Sequence, residues 1–116
     1  MKIVLRFSLL ALIAFAAFAV SSSAGKATAA NPAPSPVDVK IDNFSFAPQS
    51  ITVPAGTKVT WKNRDEIPHT VVSTEGVFKS RVLDTDETFS FTFDKPGTYP
   101  YFCSVHPKMT GTVIVQ

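Results

Sequence analysis

Residues 88–94 alternate without a break: Phe89, Phe91 and Phe93 fall on one side of an extended chain, Ser90, Thr92 and Asp94 on the other. Successive side chains of a β-strand point to opposite faces, so a period of two marks a strand with one face buried and one in water; an amphipathic helix needs apolar residues three and four apart. The alternation recurs. Val37, Val39 and Ile41 oppose Asp38 and Lys40, and Val59 and Trp61 oppose Lys58, Thr60 and Lys62. Further strands are predicted at 50–53, 69–73, 97–103 and 111–115. Turns are predicted at 54–56 (Pro-Ala-Gly) and 95–97 (Lys-Pro-Gly), where Pro presets φ and Gly takes conformations other residues avoid. Seven or eight short half-buried strands, expected to pair antiparallel, with a turn about every ten residues, predict an all-β fold, a β-sandwich. Its Phe and Trp side chains are expected to fill the core.

The first part of the 116-residue chain has a different composition. Lys2 and Arg6 precede an apolar run from Phe7 to Val20, too short to span a bilayer comfortably, and small residues follow. That is the pattern of a secretory signal. Cleavage sites are offered at 17–19, 22–24 and 27–29; the last gives a signal peptide of residues 1–29, with retention as an uncleaved anchor the competing reading. Residues 30–36 form a Pro-rich lead segment, and one domain, 37–116, remains. Removing 1–29 takes away Lys2, Arg6 and Lys26 and turns the net charge from +2 to −1. The basic balance therefore belongs to the signal, and the domain lacks the positive excess that nucleic acid requires. The expected product is an exported, periplasmic monomer with no stable membrane association once the signal is cleaved.

Little in the domain points to catalysis. There is no nucleotide-binding Gly loop and no paired-carboxylate signature. Asp65 and Glu66 are adjacent in a loop and read as a solvated turn. Asp84, Asp86 and Glu87 lack the Gly and the distal Glu of an EF-hand loop and read as a polar strand connection.

The chemistry gathers in Cys103-Ser-Val-His106-Pro-Lys-Met109. Cys103 is the only cysteine, so no internal disulfide can form in a chain built for export. The segment lies between two predicted strands, in one tight hairpin-like connection that Pro107 stiffens. His69, the only other histidine, opens a predicted strand after its own loop. Loops at one end of a sandwich are spatial neighbours, so His69 can join the set. Met is a poor ligand for structural zinc, and catalytic zinc keeps an open position. Two His and a Cys with a weak axial Met is the blue-copper electron-transfer arrangement. Taken singly, a lone Cys or Met is usually a packed apolar side chain. A Cys/His nucleophilic pair would need a base aimed at the sulfur and an oxyanion hole, and the sequence offers no sign of either.

The domain resembles the cupredoxins, the type 1 blue copper proteins, and among them the amicyanin and plastocyanin-type relatives. The resemblance runs through Phe46–Val71 and Phe93–Val115, and the spacing Cys-x-x-His-x-x-Met is that of amicyanin. It implies a Greek-key sandwich with one copper per chain held by His69, Cys103, His106 and Met109, and a small electron carrier, not an enzyme. A periplasmic copper chaperone or delivery protein is the alternative. The implied partners are redox proteins, a c-type cytochrome or a periplasmic dehydrogenase or oxidase. His106 is expected near the surface, with Ile67, Pro68, Pro107 and Met109 as candidates for an apolar rim. The chain departs from the family pattern at Thr70, where Asn is common, at Val105, where amicyanin has Pro, and at Lys108, where amicyanin has an aromatic. The N–H of Val105 is expected to point at the Cys103 sulfur.

Overall fold

The structure, a computed structural model, describes residues 32–116; the expected signal peptide and the start of the lead segment lie outside the described residues. Eight strands follow in order: β1 (Val37–Asp42), β2 (Ser45–Ala47), β3 (Ser50–Val53), β4 (Thr57–Asn63), β5 (Val72–Ser73), β6 (Thr88–Phe93), β7 (Gly97–Phe102) and β8 (Thr110–Val115). They form two four-stranded sheets, ordered β2-β1-β4-β6 and β3-β8-β7-β5. Each predicted strand is present, although 69–73 yields only the short β5. His69 there exchanges both backbone hydrogen bonds with Leu83, and Val71 accepts the Ser80 N–H, so these residues pair with the connecting segment in place of a longer ladder.

Two pairings differ from the antiparallel expectation. β1 runs parallel to β4, and β3 parallel to β8. The cause is the crossing between sheets. β3 belongs to the second sheet, and the chain passes through it on the way from β2 to β4, which returns it to the first sheet beside β1 and pointing the same way.

The strand not predicted is β2. It closes a hairpin on β1, with Asp42 opposite Ser45, so the turn is just Asn43-Phe44. Both residues have positive φ, 50° and 56°. This is the two-residue type I′ turn that matches the right-handed twist of the strands and normally reads Asn-Gly. Phe in the second position hides the signal.

The core lies between the sheets. Trp61, fully buried on β4, packs edge-on against Tyr101 of β7 at 5.4 Å between ring centroids, and against Phe78 and Phe89 at 5.6 and 5.8 Å. Each fully buried side chain of this kind contributes about 1.5–3 kcal/mol by leaving water, and the partly buried Phe89 less. Gly111 on β8 has a purely steric reason. The Tyr101 ring and hydroxyl lie where its Cβ would be, so no larger residue fits without displacing that ring. Gly56, at φ +91°, instead serves the predicted turn, which the Thr57 hydroxyl closes onto the Pro54 carbonyl at 2.6 Å.

Candidate metal centre

One end of the sandwich gathers three loops: the β1–β2 turn, residues 64–71 after β4, and the β7–β8 connection. The last is a closed hairpin. Cys103 N–H donates to the Met109 carbonyl at 3.0 Å just beyond the final rung, Phe102 opposite Thr110, and Met109 N–H donates to the His106 carbonyl at 2.9 Å. Cys103, His106 and Met109 are thereby held on one short loop, with Cys103 fully buried, Met109 nearly so and His106 partly exposed.

His69 reaches the same place from the other loop. Buried Asn63 organises that loop. Its side-chain amide donates to the Ile67 and Leu83 carbonyls, both at 2.9 Å, and its Oδ1 accepts the Asp65 N–H at 2.9 Å, an Asx-turn. The loop is therefore clamped, and His69 follows it into the core at 0% exposure.

The His69, Cys103 and His106 donor atoms all lie within 4.8 Å of one another. The Cys103 sulfur is 3.7 Å from His69 Nδ1 and 4.0 Å from His106 Nδ1. Metal–sulfur and metal–nitrogen bonds of about 2.3 and 2.1 Å put S and N roughly 3.6–3.8 Å apart around a single ion, so the donors suit one shared metal. The ligand softness, two imidazoles and a thiol with a thioether buried on the same loop, suits copper.

The surrounding residues fix the donors. His69 Nε2 faces the Asp65 carboxylate at 2.7 Å. A proton held there leaves Nδ1, the nitrogen facing the sulfur, as an open lone pair. Asp65 is thus not the solvated turn residue expected from sequence. Its two carboxylate oxygens also accept the N–H groups of Asn43 and Phe44, at 2.7 and 2.9 Å. Partial burial raises the Asp65 pKa, and the Phe44 N–H, the His69 ring and the Asn43 N–H outweigh it, holding the carboxyl below its ordinary range.

The thiol is also tuned. Burial pushes Cys103 up, but the Thr70 N–H, the His69 ring and the backbone and ring of His106 together bring it down to about 6. A metal ligand must be a thiolate, and here that form is accessible at neutral pH. The Thr70 N–H stands 3.4 Å from the sulfur. The Thr70 hydroxyl accepts the Ser104 N–H at 2.8 Å and shares a hydrogen bond with the Ser104 hydroxyl at 2.7 Å. Threonine therefore ties the two ligand loops together directly. Val105 does not do what the sequence suggested. The backbone donors acting on the sulfur are those of Thr70 and His106, and Val105 instead places a 48% exposed side chain on the surface.

That surface is a shallow apolar depression of about 480 Å³ beside His106, lined by Phe44, Val105, His106, Pro107, Lys108 and Met109. Pro107 and Met109 were expected there; Ile67 and Pro68 are exposed on the neighbouring loop and do not line it. Phe44 was missed. It is 45% exposed, and its ring meets both His69 and His106 edge to face, with centroids 5.6 and 5.1 Å away. Among the described residues the other acidic cluster is a surface connection, as expected: Asp86 pairs with Arg64 and Glu87 with Arg81.

The sequence profile of the cupredoxin-like domain matches residues 9–115. The chain belongs to the cupredoxin-like domain family. It is 39% identical over 112 residues to amicyanin-alpha of Methylorubrum extorquens, across 91% of this chain and 93% of that one. To the amicyanin of Paracoccus denitrificans it is 35% identical over 123 residues, across 94% of each chain. Among solved structures it is similar to a purple cupredoxin from Nitrosopumilus maritimus, with a TM-score of 0.65 and 33% identity, over 69% of this chain and 99% of that one. In this cupredoxin domain, both loops of the candidate centre lie inside the matched residues 9–115.

Proposed function

We propose that the protein is a small soluble electron carrier whose metal ligands are His69, Cys103, His106 and Met109, with one copper per chain. The observation that carries the reading is the convergence of two imidazoles and a low-pKa thiol within 4.8 Å, one of those imidazoles reaching the solvent-facing depression. Copper bound there would supply a one-electron couple. Cys103 provides the anionic sulfur, held by the Thr70 N–H. His69 offers Nδ1 because Asp65 occupies its other nitrogen. Met109 sits buried at the end of the ligand loop, where its thioether would serve as a weak fourth donor. The clamps on both loops keep the donors from moving when charge changes, and small rearrangement is what a fast carrier needs.

His106 is the exit. Partly exposed in an apolar depression, its ring links the interior to a partner's surface, and the partners we propose are redox proteins of the cytochrome or dehydrogenase kind. Lys108 on the rim adds a charge that would favour an acidic partner. The amicyanin relatives support the carrier reading, and the apolar run Phe7–Val20 supports export to the periplasm.

The test is copper loading followed by absorption spectroscopy. Wild type is expected to turn blue through thiolate-to-copper charge transfer and to cycle reversibly under voltammetry. Cys103→Ala should be colourless. A variant that stays blue would rule out Cys103 as the ligand. A colourless protein that hands Cu(I) to an apo-acceptor would identify a copper chaperone instead.

A further inference from the structure

Phe44 occupies a conformation that costs stability. Positive φ is a genuine outlier for a bulky side chain, and this turn position is one that Gly fills without strain. Phe44 is also 45% exposed, so core packing does not explain its presence. What the strained geometry achieves is visible in its contacts. At φ 56° the ring is delivered edge to face onto both imidazoles, at 5.6 Å from His69 and 5.1 Å from His106. These two rings come from different loops, and their own centroids are 5.1 Å apart. The turn is held by the Asp65 carboxylate, which accepts the N–H groups of both left-handed residues while it also binds His69 Nε2. One carboxylate therefore fixes a ligand imidazole and the aromatic ring that braces it.

We infer that Phe44 is a positioning residue of the metal centre, its ring holding the His69 and His106 imidazoles in their metal-facing orientation, and that Asp65 is the clamp which keeps Phe44 there. The aromatic brace replaces the Gly that the turn alone would favour. His106 depends on it most, because it is partly exposed, whereas His69 is fully buried and also held by Asp65.

The inference rests on the copper reading, and the experiment separates the two. Copper-loaded, reduced protein is mixed with excess Cu(I) chelator, and release is followed by the colour of the chelate. Phe44→Gly should release copper roughly tenfold faster, the scale of two lost aromatic contacts. Phe44→Tyr, which keeps the ring, should release it at the wild-type rate. So should Val77→Ala, a comparably exposed apolar residue away from the centre (Val77 is 43% exposed). The metal-free Phe44→Gly protein should melt within about 4 °C of wild type, because relief of the left-handed strain offsets the lost packing. Asp65→Asn should also hasten release, and combining it with Phe44→Gly should add less than the sum of the two. Wild-type release from Phe44→Gly would overturn the inference. So would fast release from Phe44→Tyr, or a metal-free Phe44→Gly protein destabilised well beyond 4 °C, which would mark an ordinary structural role. Full additivity would remove Asp65 as the clamp. A wild-type protein that takes up no copper fails the proposed function instead.

Discussion

At the scale of single residues, the Cys103 sulfur shows how much a donor's direction matters. Two backbone groups act on it, those of Thr70 and His106. Proline at 105 would remove an N–H that does not reach the sulfur. A hydrogen bond about 1 kcal/mol stronger in one redox state would move a one-electron potential by roughly 40 mV. Val105→Pro is therefore expected to shift the potential by well under that amount and to keep the blue colour. Protein-film voltammetry of the pair decides it; a drop approaching the full value would mean that the Val105 N–H is a donor after all. Thr70 teaches the complementary lesson. The family pattern favours Asn at this position, yet a threonine hydroxyl bridging to Ser104 ties the same two loops. The residue type was legible, whereas the ability of a shorter side chain to make the link depends on how close the loops come.

At the scale of elements, the loop from β4 to His69 depends on one buried amide. Asn63 satisfies two carbonyls and one N–H from three different residues and is 0% exposed. Removing its side chain would strand the buried Leu83 carbonyl, at a cost of about 1–3 kcal/mol, and release two part-buried groups of the loop. Asn63→Ala is expected to lower the melting temperature of the metal-free protein by more than about 10 °C and to weaken copper binding, since His69 is placed by this loop. Calorimetry of the metal-free variant checks the first part; a loss of only a few degrees would show that water replaces the amide. The strands themselves were legible because their burial follows a period of two. The short β2 was not, because a Phe stands where the turn chemistry calls for Gly. The shortened β5 was not, because His69 and Val71 bond to residues 80–83, a long-range pairing that no local pattern encodes.

Across the whole molecule, the two sheets meet at Trp61 and Tyr101, and both buried polar tips, Trp61 Nε1 and the Tyr101 hydroxyl, lack a hydrogen-bond partner. Burial pushes Tyr101 from 10.0 up to about 12. The fold therefore favours the neutral phenol. The resulting stability is complete below pH 10.0 and is lost as pH rises from there toward about 12, because the unfolded chain ionises first. Tyr101→Phe has no such proton to lose and leaves no unpaired hydroxyl. It is expected to match or exceed wild-type stability at neutral pH, and to gain roughly a further 2 kcal/mol on wild type by pH 11.5. Urea unfolding of both proteins from pH 7 to 11.5 would reveal it; parallel curves would mean that Tyr101 ionises freely in the fold.

The sequence by itself determined most of the strands and the sandwich, and it pointed to a candidate ligand set, because alternation, turn residues and the Cys-x-x-His-x-x-Met spacing are local properties of the chain. Two histidines, one cysteine and one non-initiator methionine left few ways to assemble a soft-metal site. The tertiary structure decided what surrounds those ligands. Asp65, already within one loop of His69, becomes a link between that ligand candidate and the β1–β2 turn because the turn approaches it and donates two N–H groups. Phe44 becomes a brace because left-handed backbone swings its ring over two imidazoles from two other loops. The turn's contacts with Asp65 bridge more than twenty residues and are fixed when β1 pairs with β4; the reach of Phe44 to His106 is fixed only when the second sheet packs against the first.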